Sequence, residues 1–293
     1  MLPADWHAHC SAGGLERPLA PRTTWRIGGP AEVYLEPGSA GELAATITRL
    51  WRMGLPYRIL GGGSNLLVAD RGVRGAVVSL NRLCGLGREE ELLVAGAGAY
   101  LHAVVRQAAA LGLAGLEPLA GIPGRIGGAI FGNAGSLYGS IGDCVAHLDL
   151  IRRDGTLERV LPGRDFFAYR RSRVGDRIVV SAAFHAVPGD RARLGRRIAE
   201  LVEERRRSQP GWVGNAGCVF RNPPGDSAGR LIDLAGCKGL RAGGIQVSQK
   251  HANFFENLKA GSSSDVERLA ECVRERVRRA HGVELEWEVH RWT

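Results

Sequence analysis

The chain has 293 residues, enough for one large or two ordinary domains, and its 44% hydrophobic and 24% charged residues are those of a packed globular protein. A formal net charge of +9 points to anionic partners: nucleic acid, a membrane surface, or small phosphorylated ligands. No apolar run approaches the about 18 residues that a membrane span needs, and Met1 to Cys10 lack a basic-then-apolar signal pattern.

Residues 1 to 21 read as an extended lead-in, and Thr23 to Leu35 as a turn followed by a strand. Ser39 is a good N-cap for a helix to about Met53, with Leu43, Ile47 and Leu50 on one face and Gly54 as the stop. Tyr57 to Leu60 reads as a short buried strand. It runs into Gly61-Gly62-Gly63-Ser64-Asn65. Three adjacent glycines leave successive backbone N–H groups without a Cβ in the way, which makes an anion nest, and Ser64 and Asn65 add side-chain donors. The alternative is a plain glycine-rich turn. No Lys-Ser/Thr pair follows and the G-x-G-x-x-G spacing is absent, so neither common phosphate motif applies. A second strand ends at Leu80, another spans Leu92 to Ala95, and an Ala-rich helix from His102 to Leu111 stops at Gly112.

The densest signal comes next: Gly121-Ile122-Pro123-Gly124-Arg125-Ile126-Gly127-Gly128-Ala129, then Asn133-Ala134-Gly135. Flexible linkers are polar, and this stretch is apolar, so it reads as a structured loop that lets backbone approach something flat or bulky. By itself it is also consistent with tight packing between elements. Paired with the Gly61 to Asn65 loop it suggests a dinucleotide cofactor, with a pyrophosphate and a planar ring.

Leu148 to Ile151 and Leu157 to Leu161 read as a hairpin around an Asp154-Gly155 turn. Ile178 to Val187 is a strand ending at Pro188-Gly189-Asp190, which reads as a domain boundary before a charged helix from Arg191 to Arg207. Two domains follow from this, 1–188 and 189–293, the first with two subdomains dividing near 85–95. The basic runs at Arg205 to Arg207 and Arg274 to Arg279 are helical and read as solvated faces. A helix spans Ser227 to Ala235. The last helix is capped by Ser262 to Ser264, buries Val266, Leu269, Ala270, Val273 and Val277, and ends at His281-Gly282. Val283 to Val289 is expected to alternate as a strand, with Glu284, Glu286 and Glu288 on the solvated face or one of them at a site. The six cysteines (Cys10, Cys84, Cys144, Cys218, Cys237, Cys272) are widely spaced without C-x-x-C or a metal-ligand cluster, so no metal is expected and the thiols read as reduced and cytoplasmic.

Eight stretches, TTWRIGGPAEVYLEP, ILGGGSNLLV, LAGIPGRIGGAIFGNAG, FFAYRRS, NAGCVFRNPP, SAGRLIDLAGCKGLRAGG, QVSQKHANF and LEWEV, occur in an order and spacing that resemble the UDP-N-acetylenolpyruvoylglucosamine reductases, from about Thr23 to Val289. The resemblance implies an α+β protein, with an N-terminal FAD-binding region of the vanillyl-alcohol-oxidase (PCMH) type and a C-terminal α+β substrate-binding domain. Its last strand is expected to return to the active site. It implies FAD and NADPH as cofactors, a UDP-sugar enolpyruvyl ether as substrate, no nucleic-acid or membrane partner, and a monomer or weak oligomer in the cytoplasm. The cofactor contacts would be Gly61, Gly62, Gly63, Ser64, Asn65, Gly121, Ile122, Gly124, Gly127, Gly128 and Asn133. Substrate contacts would be Tyr169, Arg221 and Asn222, and catalytic residues Arg170, Cys218 and Glu288.

The chain departs from the family pattern where a serine is usual, at Cys218. A thiol with an ordinary pKa of about 8.5 is mostly protonated at neutral pH and can donate a proton. Arg221 stands where Lys is usual, Arg125 where a small residue is usual, Ser136-Leu137-Tyr138 shifts a tyrosine by one place, and Glu256 replaces an apolar residue. The short stretch from Arg170 to Cys218 matches the form without an extra substrate-covering loop. A flavin oxidase or dehydrogenase with another substrate explains the first half equally well but not the C-terminal motifs. A nucleic-acid-binding protein explains only the charge, and three phosphorylated ligands explain it more simply.

Overall fold

The computed structural model describes residues 12–293; the expectations for the lead-in before Ala12, Cys10 included, lie outside them. The chain forms two compact units whose segments interleave in sequence. The first comprises the described residues up to Leu15, Val33–Gly62 and Arg74–Glu204; the second comprises Glu16–Glu32, Gly63–Val73 and Arg205–Thr293.

Helix α1 (Ala40–Arg52) begins where the local chemistry dictates: the Ser39 hydroxyl accepts from the Glu42 N–H at 3.1 Å. It buries Leu43, Ile47 and Leu50. A four-stranded sheet runs Gly13–Pro18, Pro30–Leu35, Val73–Ser79, Tyr57–Leu60, so part of the expected lead-in is strand; the last two strands pair in parallel. A five-stranded sheet has the order Leu157–Val160, Val145–Ile151, Ile178–Phe184, Leu92–Gly96, Leu86–Glu89, and its adjacent strands are antiparallel. Helix α2 (Leu101–Ala110) buries Leu101, Val104 and Val105.

The sequence pattern reads residues 121–135 as loop throughout, but Ile126–Phe131 forms a helix, α3. Two glycines in six residues make it a poor helix by propensity. Tertiary burial offsets this, because Ile126 and Ile130 are fully enclosed in the first unit's core. Helix α4 (Arg191–Ser208) follows.

The second unit is built on α5 (Ala228–Leu234) and α6 (Ser263–His281). A three-stranded sheet of Arg241–Ala242, Ile245–Val247 and Phe255–Asn257 belongs to it. At the start of α6 the Ser262 hydroxyl accepts from the Asp265 N–H at 3.0 Å, and the Asp265 carboxylate accepts from the Ser262 N–H at 3.1 Å. Asp70 reinforces this end, accepting from the backbone N–H groups of Ser263 and Ser264. Trp25, fully buried, donates its indole N–H to the Phe255 carbonyl at 2.8 Å. The expected terminal strand differs in form. Val283 to Val289 makes a single bridge, Trp287 to Phe220, and the regular strand is His290–Trp292, parallel to Leu66–Val68.

Candidate active site

In the first unit, Gly61 and Gly62 end the Tyr57–Leu60 strand and face the second glycine-rich segment. A Cβ on Gly61 would lie 3.7 Å from the Gly128 nitrogen; one on Gly62 would lie 3.4 Å from the Gly124 Cα. Any side chain at either position would enter the space between the two segments. The Arg125 Cγ would also lie 3.4 Å from a Gly62 Cβ, so the two segments meet through backbone and the Arg125 stem. The second segment is held by hydrogen bonds to the Ala97–Leu101 stretch: Gly127 N–H to the Ala97 carbonyl at 2.8 Å, Ile126 N–H to the Ala99 carbonyl at 3.0 Å, and Leu101 N–H to the Gly124 carbonyl at 3.1 Å. A Cβ on Gly127 would come within 3.1 Å of Ala97 Cβ, so this glycine serves close packing. Gly121 has φ +73°, and Ile122 is buried in the core. The Arg125 guanidinium lies 3.9 Å from the centre of the Tyr100 ring and donates to the Gly98 carbonyl.

Asn133 has its carboxamide engaged inside the protein. Its Nδ2 donates to the Ala168 carbonyl at 2.9 Å, and its Oδ1 accepts from the Gly142 N–H at 3.0 Å. Ala168 belongs to a small hairpin, Phe167–Ala168 paired with Arg171–Ser172, whose two-residue turn is Tyr169-Arg170. Tyr169 is 60% exposed, with the Arg170 guanidinium 5.3 Å from its ring centre. Arg170 Nη1 donates to the Gly135 carbonyl at 3.4 Å. Tyr138, the shifted tyrosine, donates its hydroxyl to Glu204 at 2.8 Å beside Arg197, and leaves Leu137, in the turn between the paired strands Gly135–Ser136 and Gly139–Ser140, 97% exposed.

In the second unit, Gly63 has φ +61°, and a Cβ there would collide with the Arg22 carbonyl. Ser64 is half-buried in the turn that follows. Asn65 donates its Nδ2 to the Glu288 carbonyl at 3.2 Å and accepts from the His290 N–H at 3.1 Å. Cys218, half-buried, begins a segment clamped from both sides. On one side Asn253, 1% exposed, binds both backbone groups of Phe220: Phe220 N–H to Oδ1 at 2.9 Å, and Nδ2 to the Phe220 carbonyl at 2.8 Å. On the other, Glu288 N–H donates to the Val219 carbonyl and Arg221 N–H to the Glu286 carbonyl, both at 2.8 Å. Before the segment, the Asn215 Oδ1 accepts from the Gly217 N–H at 3.1 Å. The unit thereby gathers Asn65, Cys218 and Glu288 on adjacent backbone segments.

The three C-terminal glutamates part company. Glu284 lies 3.7 Å from both Arg274 and Arg278, Glu286 lines a cavity of about 700 Å³ with Arg221, Arg274, Arg291 and Trp287, and Glu288 sits at the Asn65–Cys218 junction. Asn222 accepts from the Ala228 N–H at 3.0 Å and braces the start of α5. Asn215 and Asn253 carry structural work that their motifs do not announce. A buried asparagine bonding both ways to one residue is visible only in three dimensions.

The FAD binding domain profile matches residues 31–161, the stretch that holds both glycine-rich segments, and marks the class as an FAD-containing oxidoreductase. The profile described as UDP-N-acetylenolpyruvoylglucosamine reductase, C-terminal domain, matches residues 209–292. The chain belongs to the UDP-N-acetylenolpyruvoylglucosamine reductase family. It is 42% identical over 294 residues to that reductase of Acidiphilium cryptum, covering 98% of this chain and 95% of the relative. It is 45% identical over 282 residues to that of Rubrobacter xylanophilus, covering 95% and 94%. The crystal structure of UDP-N-acetylenolpyruvylglucosamine reductase from Thermus caldophilus superposes with a TM-score of 0.83 at 36% identity, covering 96% of this chain and 98% of that one. A berberine bridge enzyme, 18% identical with a TM-score of 0.52 over 64% of this chain and 44% of its own, shares the fold of the oxidase type.

Proposed function

We propose that the protein reduces UDP-N-acetylglucosamine enolpyruvate to UDP-N-acetylmuramate, a step in making peptidoglycan precursors, in the cytoplasm and as a monomer or weak oligomer. Bound FAD would supply the hydride chemistry that links NADPH to the enolpyruvyl double bond, with the methylene carbon as the acceptor. Gly61, Gly62, Gly124 and Gly128 would hold the FAD pyrophosphate, since the glycine backbones of the two segments approach one another there, with the Arg125 stem alongside.

The rest falls to this chain's side chains. Hydride arrival leaves negative charge on the adjacent carbon and its carboxylate. Arg170 supplies a permanent cation to that carboxylate, and a fixed charge is most effective where charge develops. Cys218 donates the proton from Sγ to the carbanion carbon, completing the addition of one hydride and one proton across the double bond. Glu288 supplies a carboxyl group to the same step. Arg221 binds substrate phosphate as a guanidinium fork where the family usually has an ammonium.

The observation that supports this reading most is the double clamp on residues 218–221. It seats Cys218 beside the Glu288 backbone, with the following residues Val219 and Phe220 fixed by hydrogen bonds of 2.8–2.9 Å. The half-reactions of Cys218→Ala test it. Flavin reduction by NADPH should keep its wild-type rate, while reoxidation by the enolpyruvyl substrate should slow about 10²- to 10⁴-fold, the range of a lost general acid. Unchanged turnover would remove Cys218 from the mechanism.

A further inference from the structure

The Tyr169-Arg170 turn is held in an unusual backbone state. Arg170 has φ +53°, a left-handed conformation that non-glycine residues rarely adopt. Such a residue persists only where its surroundings over-determine it. The surroundings here are two hydrogen bonds, one on each strand of the hairpin. Asn133 Nδ2 donates to the Ala168 carbonyl at 2.9 Å, and Ser172 Oγ donates to the Phe131 carbonyl at 2.8 Å. Both tie the hairpin to the C-terminal end of α3. Asn133 is itself left-handed at φ +43°, is 7% exposed, and anchors its Oδ1 on the Gly142 N–H. The Phe167 ring lies where a Gly142 Cβ would be, so Gly142, Asn133 and the hairpin form one closed packing unit.

Helix α3 therefore connects two places. Gly128, in its first turn, borders the Gly61 side of the cradle; its last residue and Asn133 hold the arginine turn. Six residues at 1.5 Å each span about 9 Å. A rigid span of that length fixes the distance between a cofactor cradle and a side chain on the turn.

We propose that Asn133 is a positioning residue for Arg170, setting the turn that aims the guanidinium, and that its carboxamide is not a cofactor contact. The proposal rests on the role given above to Arg170. Loss of the Asn133 donor frees the Ala168 strand to relax the left-handed turn. A shift of about 1 Å in a catalytic group is enough to cost on the order of 10²-fold.

Two variants of the flavin-loaded protein test this. Asn133→Gly removes the side chain but tolerates positive φ; Asn133→Asp keeps the Gly142 acceptor and loses the donor to Ala168. Both should bind FAD and be reduced by NADPH as the wild type is, while single-turnover reoxidation by the enolpyruvyl substrate slows about 10- to 100-fold. In an Arg170→Ala background, Asn133→Gly should change reoxidation by less than about twofold, because there is no guanidinium left to aim. Ser172→Ala, the second brace, gives the same readout should neither Asn133 variant fold. A raised FAD dissociation constant in Asn133→Gly, full-size losses in the Arg170→Ala background, or unchanged reoxidation would each overturn the proposal. If Arg170→Ala alone reoxidises at the wild-type rate, the role of Arg170 itself has failed, and that is seen with position 133 intact.

Discussion

The three glycines of the 61–63 run answer to different constraints. A side chain on Gly61 or Gly62 would reach the second glycine-rich segment, whereas Gly63 has a left-handed φ and a Cβ there would collide with the Arg22 carbonyl. Their substitutions should therefore fail differently. Gly63→Ala should destabilise the fold by about 2–3 kcal/mol in chemical denaturation, from strain and overpacking together. Gly62→Val should leave the denaturation midpoint near wild type and weaken FAD binding at least about tenfold, or 1.4 kcal/mol, read from the flavin-to-protein absorbance ratio on dilution. Thiol chemistry also divides by residue. Burial, aided by Asp143 and Glu117, pushes Cys144 up to about 11, and burial raises Cys237, so neither is reactive near neutral pH. Alkylation should reach Cys218 and abolish turnover, whereas Cys218→Ser should stay active and resist the reagent; an alkylation-sensitive Cys218→Ser would place the effect at another thiol. The Gly61 to Gly63 run was legible as a tight backbone approach, and Cys218 as a departure from the family motif, because each is local to its motif. The bonds that Asn133 and Asn253 make to backbone carbonyls were not, since the partner carbonyls lie far along the chain.

At the scale of elements, start and stop signals transferred well. Ser39 and Ser262 cap α1 and α6 as their spacing predicts, and Gly282 ends α6 with φ +69°. Ser262→Ala should cost about 1 kcal/mol of stability, measured by urea denaturation, since the Asp265 N–H loses its acceptor. Asp70 belongs to the same end. Burial works to raise its pKa, but hydrogen bonds from Ser263 and Ser264 outweigh this and lower it. Helix α3 escaped the pattern because its two glycines read as loop, Gly127 serves close approach to Ala97, and long-range burial of Ile126 and Ile130 makes the helix. The C-terminal segment shows the opposite case. Leu285 and Val289 are buried as the alternation predicts, yet the backbone binds residues 219–221 through isolated contacts and forms no ladder there.

At the scale of the molecule, the two compact units each draw on separate stretches of chain. The bond from Trp25 to Phe255 joins residues 230 apart in sequence, and no local periodicity encodes such a partner. Electrostatics gives a molecular prediction. His102, His251 and His290 all sit below the ordinary histidine value of 6.5, each chiefly through burial, with Arg106, Lys238 and Arg221 respectively contributing. The unfolded chain then binds more protons than the native one just below pH 6.5, so stability falls as pH drops from about 7 toward 5. His251→Gln should flatten that slope, seen as a smaller loss of urea midpoint between pH 7 and 5 than in the wild type. An unchanged slope would remove His251 as a contributor.

The proposed function has a flavin, held at the glycine-rich segments, passing electrons to an enolpyruvyl UDP-sugar. Anaerobic spectroscopy of the purified protein tests it most directly. The predicted result is a yellow protein that bleaches on adding NADPH and regains its oxidised spectrum on adding UDP-N-acetylglucosamine enolpyruvate, one substrate consumed per flavin. A protein that bleaches but is reoxidised only by admitted oxygen would contradict it.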